Sequence, residues 1–111
     1  MKHIYLDVSG SMPDVNHPII QRILLENQPA VLFDFDHRIG PHGSLGDFKG
    51  GTLIGEVASH ARQNNAYEVV VITDGYFAGP TGPLYGEWTW HIMPNGVKPN
   101  VEGSIIMEKE A

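Results

Sequence analysis

Five oxygen-bearing side chains stand out by type and spacing. Asp7, Ser9 and Ser11 occupy alternate positions of Asp7-Val8-Ser9-Gly10-Ser11, Thr52 follows Gly50-Gly51, and Asp74 sits in Thr73-Asp74-Gly75. Alternate residues on a tight turn can point the same way, and Gly10, Gly51 and Gly75 are expected to give the backbone room beside them. None of the five donors is nitrogen or sulfur. Such a set suits a hard divalent cation, and magnesium takes six oxygens in a near-octahedral shell at roughly 2.1 Å. Two carboxylates balance one divalent ion, whereas the three hydroxyls ligate without adding charge. The ion keeps a demand for one more anion, which an acidic residue of another protein can meet, with water in its place otherwise. Singly, each motif also reads as an ordinary capped turn, because Asp and Ser favour turns. Only their convergence makes a site.

Convergence depends on the elements that carry them. His3 to Val8 reads as a short buried strand running into the Ser9–Pro13 loop, and Val15, Ile19, Ile20, Ile23 and Leu24 recur at helical spacing. That helix is expected over residues 16–27, with Pro18 in its first turn. Ala30 to Asp36 is the second strand. Residues 37–51 are glycine-rich, with room for a brief edge strand, and a second helix is expected over 53–64 with Ile54, Val57, Ala58 and Ala61 as its apolar stripe. Glu68 to Thr73 is a continuous apolar run, as expected for a strand covered on both faces. From Gly75 to Glu87 six of thirteen residues are Gly or Pro, so no helix is expected there. Trp88 to Met93 and, more weakly, Gly103 to Met107 complete the strands.

Strands alternating with helices imply right-handed crossovers and a mostly parallel sheet, hence a minimal α/β three-layer sandwich with few helices. Functional loops of such sheets gather at the carboxyl ends of the strands. The loops after Val8 and Thr73 then share one edge with the turn before Thr52. Two helices on opposite faces leave each face partly bare, and bare apolar sheet marks an interaction surface, so a homodimer or a permanent partner is expected.

Composition narrows the function classes. The chain has 111 residues, enough for a single domain over 1–111, with 7 basic against 13 acidic residues and a net charge of -6. No Arg/Lys cluster offsets that balance, which argues against nucleic acid. Cysteine is absent, which removes thiolate chemistry and disulfides. Apolar runs are far too short for a membrane span. The first strand begins so early that no leader is expected, and a cytoplasmic location follows.

Other chemistry-bearing residues read differently. Asp34 and Asp36 form a DxD pair at a strand end, which invites a phosphatase reading, but no later acidic pair completes it. The plainer expectation is that Asp36 caps the strand while Asp34 faces solvent or backs the metal loop. The six histidines include no HExxH and no i, i+4 pair, so they read as surface or packing residues, with His17 placed near the metal loop. Trp88 and Trp90 share a strand face, where they serve either as core in place of a missing helix or as an interface anchor.

The Asp7-Val8-Ser9-Gly10-Ser11-Met12 segment resembles the DxSxS signature of von Willebrand factor A domains, and Gly51-Thr52 and Thr73-Asp74-Gly75 resemble the other two pieces of that family's metal-ion-dependent adhesion site. The likeness covers residues 3–93. It implies a Rossmann-like sheet that binds protein partners through Mg²⁺ or Mn²⁺ held by Asp7, Ser9, Ser11, Thr52 and Asp74. Trp90-His91-Ile92-Met93-Pro94 after a Gly/Pro loop is similar to short bacterial members found alongside AAA+ ATPases, which implies such an ATPase as partner. Family members are longer and carry more helices than this chain offers. The expectation is a non-enzymatic docking module. The competing readings are a metal-dependent hydrolase, with Asp34 or Asp36 assisting and only Lys49 near enough to clamp an anion, and a structural assembly component stiffened by the ion.

Overall fold

The computed structural model describes residues 1–46, 51–77 and 83–110. Six strands and two helices follow one another as β1 (Lys2–Asp7), α1 (Pro18–Glu26), β2 (Ala30–Phe35), β3 (Ile39–Pro41), α2 (Ile54–Gln63), β4 (Glu68–Thr73), β5 (Glu87–Ile92) and β6 (Ser104–Met107). They form one sheet of order β3-β2-β1-β4-β5-β6. Every neighbouring pair is parallel except β2–β3, a short antiparallel hairpin that makes β3 an edge strand.

The helices form where the sequence places them. Pro18 stands in the first turn of α1, where its missing N–H is no loss, and His17 caps the helix by accepting the Ile19 N–H at Nδ1, 3.2 Å away. Period-two alternation then sorts each strand into two cores. Ile4, Leu6, Val70 and Ile72 meet Ile20 and Ile23 of α1 on one face. On the other, Tyr5, Phe35, Val69, Val71, Trp88, Trp90 and Ile92 meet Ile54, Val57 and Ala61 of α2. β4 is apolar from Val69 to Ile72 because both sides of it are packed, its last five residues being buried.

The α2 side of β5 is not left bare. Trp88 and Trp90 are 5% and 0% exposed, with Phe77, Leu84, Val101 and Ile105 packed against their cluster. Their indole N–H groups donate to the Tyr85 and Glu102 carbonyls, each at 2.8 Å. Connecting segments thus do the work of the missing helix, and the pair is core. The opposite side of β5 carries the polar Thr89 and His91, and on the neighbouring β6 Ile106 and Met107 are exposed. No helix among the described residues is long and apolar enough to cross a membrane.

Candidate metal centre

The strand order reverses beside β1: β2 lies to one side of it and β4 to the other. Loops leaving the carboxyl ends of β1 and β4 therefore part in opposite directions and leave a crevice between them, the usual ligand position in an open α/β sheet. Asp7 ends β1 and Thr73-Asp74 ends β4. Along β1, Tyr5 faces α2, so Asp7, two residues on, projects to the same side. Along β4, Val69 and Val71 face α2, which sends Thr73 there as well. Thr52 arrives from the segment leading into α2, tethered where the Leu53 N–H donates to the Asp36 carbonyl at 3.0 Å.

Asp7 is the hub. Its residue is 1% exposed. One oxygen, Oδ1, accepts the Ser9 N–H at 2.8 Å, which folds the loop onto the carboxylate. The other, Oδ2, accepts the Thr73 hydroxyl at 2.7 Å and the Thr52 hydroxyl at 3.5 Å, the outer limit of a hydrogen bond. Ser9 and Ser11 hydroxyls lie 3.5 Å apart. Asp74 folds its own loop the same way, Oδ1 accepting the Tyr76 N–H at 3.2 Å. Burial pushes the Asp7 carboxyl above the usual carboxylate range and the like charge of Asp74 pushes it further, while hydrogen bonds from Ser9 and Thr73 act against both. Among the described residues neither aspartate has an ion-pair partner.

The turn Ser9–Pro13 separates two clefts. One, of about 240 Å³, is lined by Asp7, Val8, Asp34 and His42 among others. The second, of about 340 Å³, holds Ser11 and Asp74 together with His17, Tyr76 and Glu110. The structure thus joins Asp7 to Thr52, Ser9 to Ser11, and Asp7 electrostatically to Asp74. It opens Asp7 and the Ser11–Asp74 pair on different sides of the turn. Gly50 and Lys49 lie outside the described residues.

The donor set fits a hard cation. Asp7 and Asp74 are both buried without an ion-pair partner among the described residues, a pair whose repulsion a divalent ion near both would relieve. Three hydroxyls stand near them, those of Ser9 and Ser11 3.5 Å from each other and that of Thr52 3.5 Å from Asp7 Oδ2. Clusters of three or more His, Cys, Asp or Glu suited to a metal do not occur among the described residues, and the candidate centre is not of that composition.

Two glycine expectations need correction. Gly10 and Gly51 have open space where a Cβ would stand and no positive φ, so neither turn needs glycine for its own fold. Gly75 does: its φ is +80° and a Cβ would meet the Val97 carbonyl oxygen at 1.9 Å.

Asp34 does not face solvent. It is 5% exposed, its Oδ1 lies 2.8 Å from His42 Nδ1 and its Oδ2 accepts the Gly43 N–H at 2.8 Å. Asp36 accepts from the Arg38 backbone at 2.7 Å and its guanidinium at 2.9 Å. Both aspartates thus brace the β2–β3 hairpin. Sequence reasoning missed Thr73 as the closest side-chain partner of Asp7. The available signal was a hydroxyl at the end of the strand that carries Asp74.

Comparison with known protein families, characterised proteins and solved structures returned no match to this chain, so its reading rests on its own residues.

Proposed function

We propose that the chain is a von Willebrand factor A-like, Rossmann-like module that docks an acidic residue of a partner protein through Mg²⁺ or Mn²⁺. The observation that supports this reading is the pair of buried carboxylates at the carboxyl ends of neighbouring parallel strands, Asp7 ending β1 and Asp74 following β4. Asp7, Ser9, Ser11, Thr52 and Asp74 would hold the ion, directly or through water. When bound, the ion supplies a positive centre that attracts a partner's carboxylate. The residues do the rest: Thr73 and the Ser9 N–H fix the plane of the Asp7 carboxylate, the Asp74–Tyr76 turn fixes its loop, and the sheet beneath excludes water from Asp7.

Docking is favoured over hydrolysis because Asp34 and Asp36, the groups the hydrolase reading would use to assist, are occupied in the hairpin. The hydrolase reading also requires an anion clamp that the described residues around the crevice do not offer. An AAA+ ATPase is the partner class that the Trp90–Pro94 likeness implies, and a cytoplasmic location accords with it.

The test is capture of a short peptide with a single glutamate by the full chain, with Mn²⁺ and with chelator. Chelator-sensitive binding lost in Asp74→Asn supports docking. Metal-dependent turnover of a generic phosphate ester would replace docking with hydrolysis.

A further inference from the structure

Side chains alternate along β4. Thr73 follows Val69 and Val71 toward α2, which leaves Asp74 with Val70 and Ile72 on the α1 side. There it stands beside the carboxyl-edge end of the α1-side core, where Met12 and Met93 are 7% and 2% exposed. The adjoining wall is tied in place. The Met93 N–H donates to the Thr73 carbonyl at 2.8 Å and the Val97 N–H to the Asp74 carbonyl at 2.9 Å. The result is the cleft of about 340 Å³ that Asp74 shares with Met12, His17, Met93, Pro94 and Glu110. No Lys or Arg is among the described residues that line it.

Two carboxylates of this cleft have spare capacity. Asp74 is 5% exposed, and only its Oδ1 is engaged, by the Tyr76 N–H; Oδ2 accepts from no group among the described residues. No buried side-chain oxygen or nitrogen among those residues lacks a partner, so this Oδ2 is one that solvent reaches, and Asp74 opens on the cleft. The Glu110 side chain is 67% exposed, with His17 Nε2 4.0 Å away. His17 is no counter-cation: its Nδ1 accepts the Ile19 N–H, which only a neutral ring can do. Glu110 is brought to the rim by Glu108, whose N–H donates to the Ile92 carbonyl at 2.8 Å. The Glu108 side chain is held by His91 Nδ1 at 2.8 Å and by the Arg22 guanidinium.

We propose that this cleft is a recognition pocket for a basic side chain, a lysine or arginine of a partner protein. The aliphatic stem lies against Met12, Met93 and Pro94, and the charged head meets Asp74 Oδ2, with Glu110 at the rim supplying a second negative charge. Long basic side chains bury their stems on apolar surface and keep the head among polar groups. The net charge of -6 favours the approach of a cationic segment. The pocket goes beyond the docking reading and does not rest on it, because it needs no ion.

The experiment follows NMR spectra of the isotope-labelled full chain, with chelator and no metal, during titration with capped lysine, capped arginine and capped norleucine. Norleucine keeps the stem and lacks the charge. Both basic compounds should give saturable shifts confined to Ser11, His17, Asp74, Tyr76 and Met93, and norleucine should bind about ten-fold more weakly or not at all. Asp74→Asn should weaken the basic compounds by about ten-fold or more, the fold-change of a hydrogen bond to a charged group. Glu110→Gln should weaken them by about 1.5- to 5-fold, that of an exposed ion pair. Glu68→Gln, at the opposite end of β4, should match wild type. Absence of localised shifts with the basic compounds overturns the proposal. Norleucine binding as well as lysine and arginine also overturns it, since the cleft is then merely apolar. Equal weakening in Asp74→Asn, Glu110→Gln and Glu68→Gln overturns it too, because the effect is then overall charge. With no ion present, none of these results decides docking, which the peptide capture with Mn²⁺ and with chelator tests separately.

Discussion

Thr73→Val tests how the centre is organised. The two side chains are nearly isosteric, and Thr73 is fully buried within a strand, so packing changes little and the hydroxyl is removed almost alone. That hydroxyl donates to the Asp7 carboxylate at 2.7 Å and accepts the Gly75 N–H at 3.2 Å. A hydrogen bond to a charged group is worth about 1.5–3 kcal/mol and one between neutral groups about 0.5–1.5 kcal/mol. Losing both should destabilise the metal-free chain by about 2–4 kcal/mol. For a domain of this size that lowers Tm by roughly 8–16 °C. Thr73→Ser keeps the donor and should recover most of the loss. The difference between Val and Ser should shrink in acid, where a protonated Asp7 draws less on the donor. Urea or thermal unfolding of the three proteins is the assay. A Val variant within about 0.5 kcal/mol of wild type, the spread of neutral surface changes, would refute Thr73 as the prop of Asp7.

Three further outcomes follow from the same geometry. Asp7 has a folded-state carboxyl pushed up by burial and Asp74, so the native metal-free chain binds its proton more tightly than the unfolded one. Its effect on stability is therefore favourable on the acid side of the window and is lost as pH rises through the raised folded value. Asp7→Asn should be more stable than wild type at neutral pH without metal, and saturating Mg²⁺ should reverse the order. Gly75→Ala should cost more than about 2 kcal/mol by thermal melting, since both its φ and the Val97 carbonyl oppose a Cβ, whereas Gly10→Ala should stay within about 0.5 kcal/mol. Asp34→Asn should weaken the β2–β3 hairpin and lower Tm while leaving Mn²⁺ affinity unchanged. A collapse of ion binding in that variant would return Asp34 to the centre.

The elements were legible where local chemistry is decisive. Helical spacing from Val15 to Leu24, Pro18 in a first turn and the unbroken apolar run of β4 each reflect one segment's own burial, and each element formed within two residues of its expected bounds. That the loops after β1 and β4 share one sheet edge was legible, because parallel strands joined by crossovers put their carboxyl ends on one side. Contacts set by register between distant segments were not. Thr73 finds Asp7 only because β1 and β4 run parallel in one stagger. Asp34 turns inward because the antiparallel β3 brings His42 and Gly43 over it. Gly10 was misjudged for a related reason: a glycine between two serines suggests a strained turn, but whether φ is positive depends on how the loop is tethered. The contacts of Glu108 were invisible for the same cause, since its partners Arg22 and His91 come from far along the chain.

The most direct measurement is anomalous diffraction from a crystal of the full chain soaked in Mn²⁺. The account predicts one peak per chain at the crevice, within roughly 2.1–2.3 Å of at least two of the Asp7, Ser9, Ser11, Thr52 and Asp74 oxygens and linked to the remainder through water. No peak at saturating Mn²⁺, or a peak held by histidines elsewhere with the crevice empty, would contradict it.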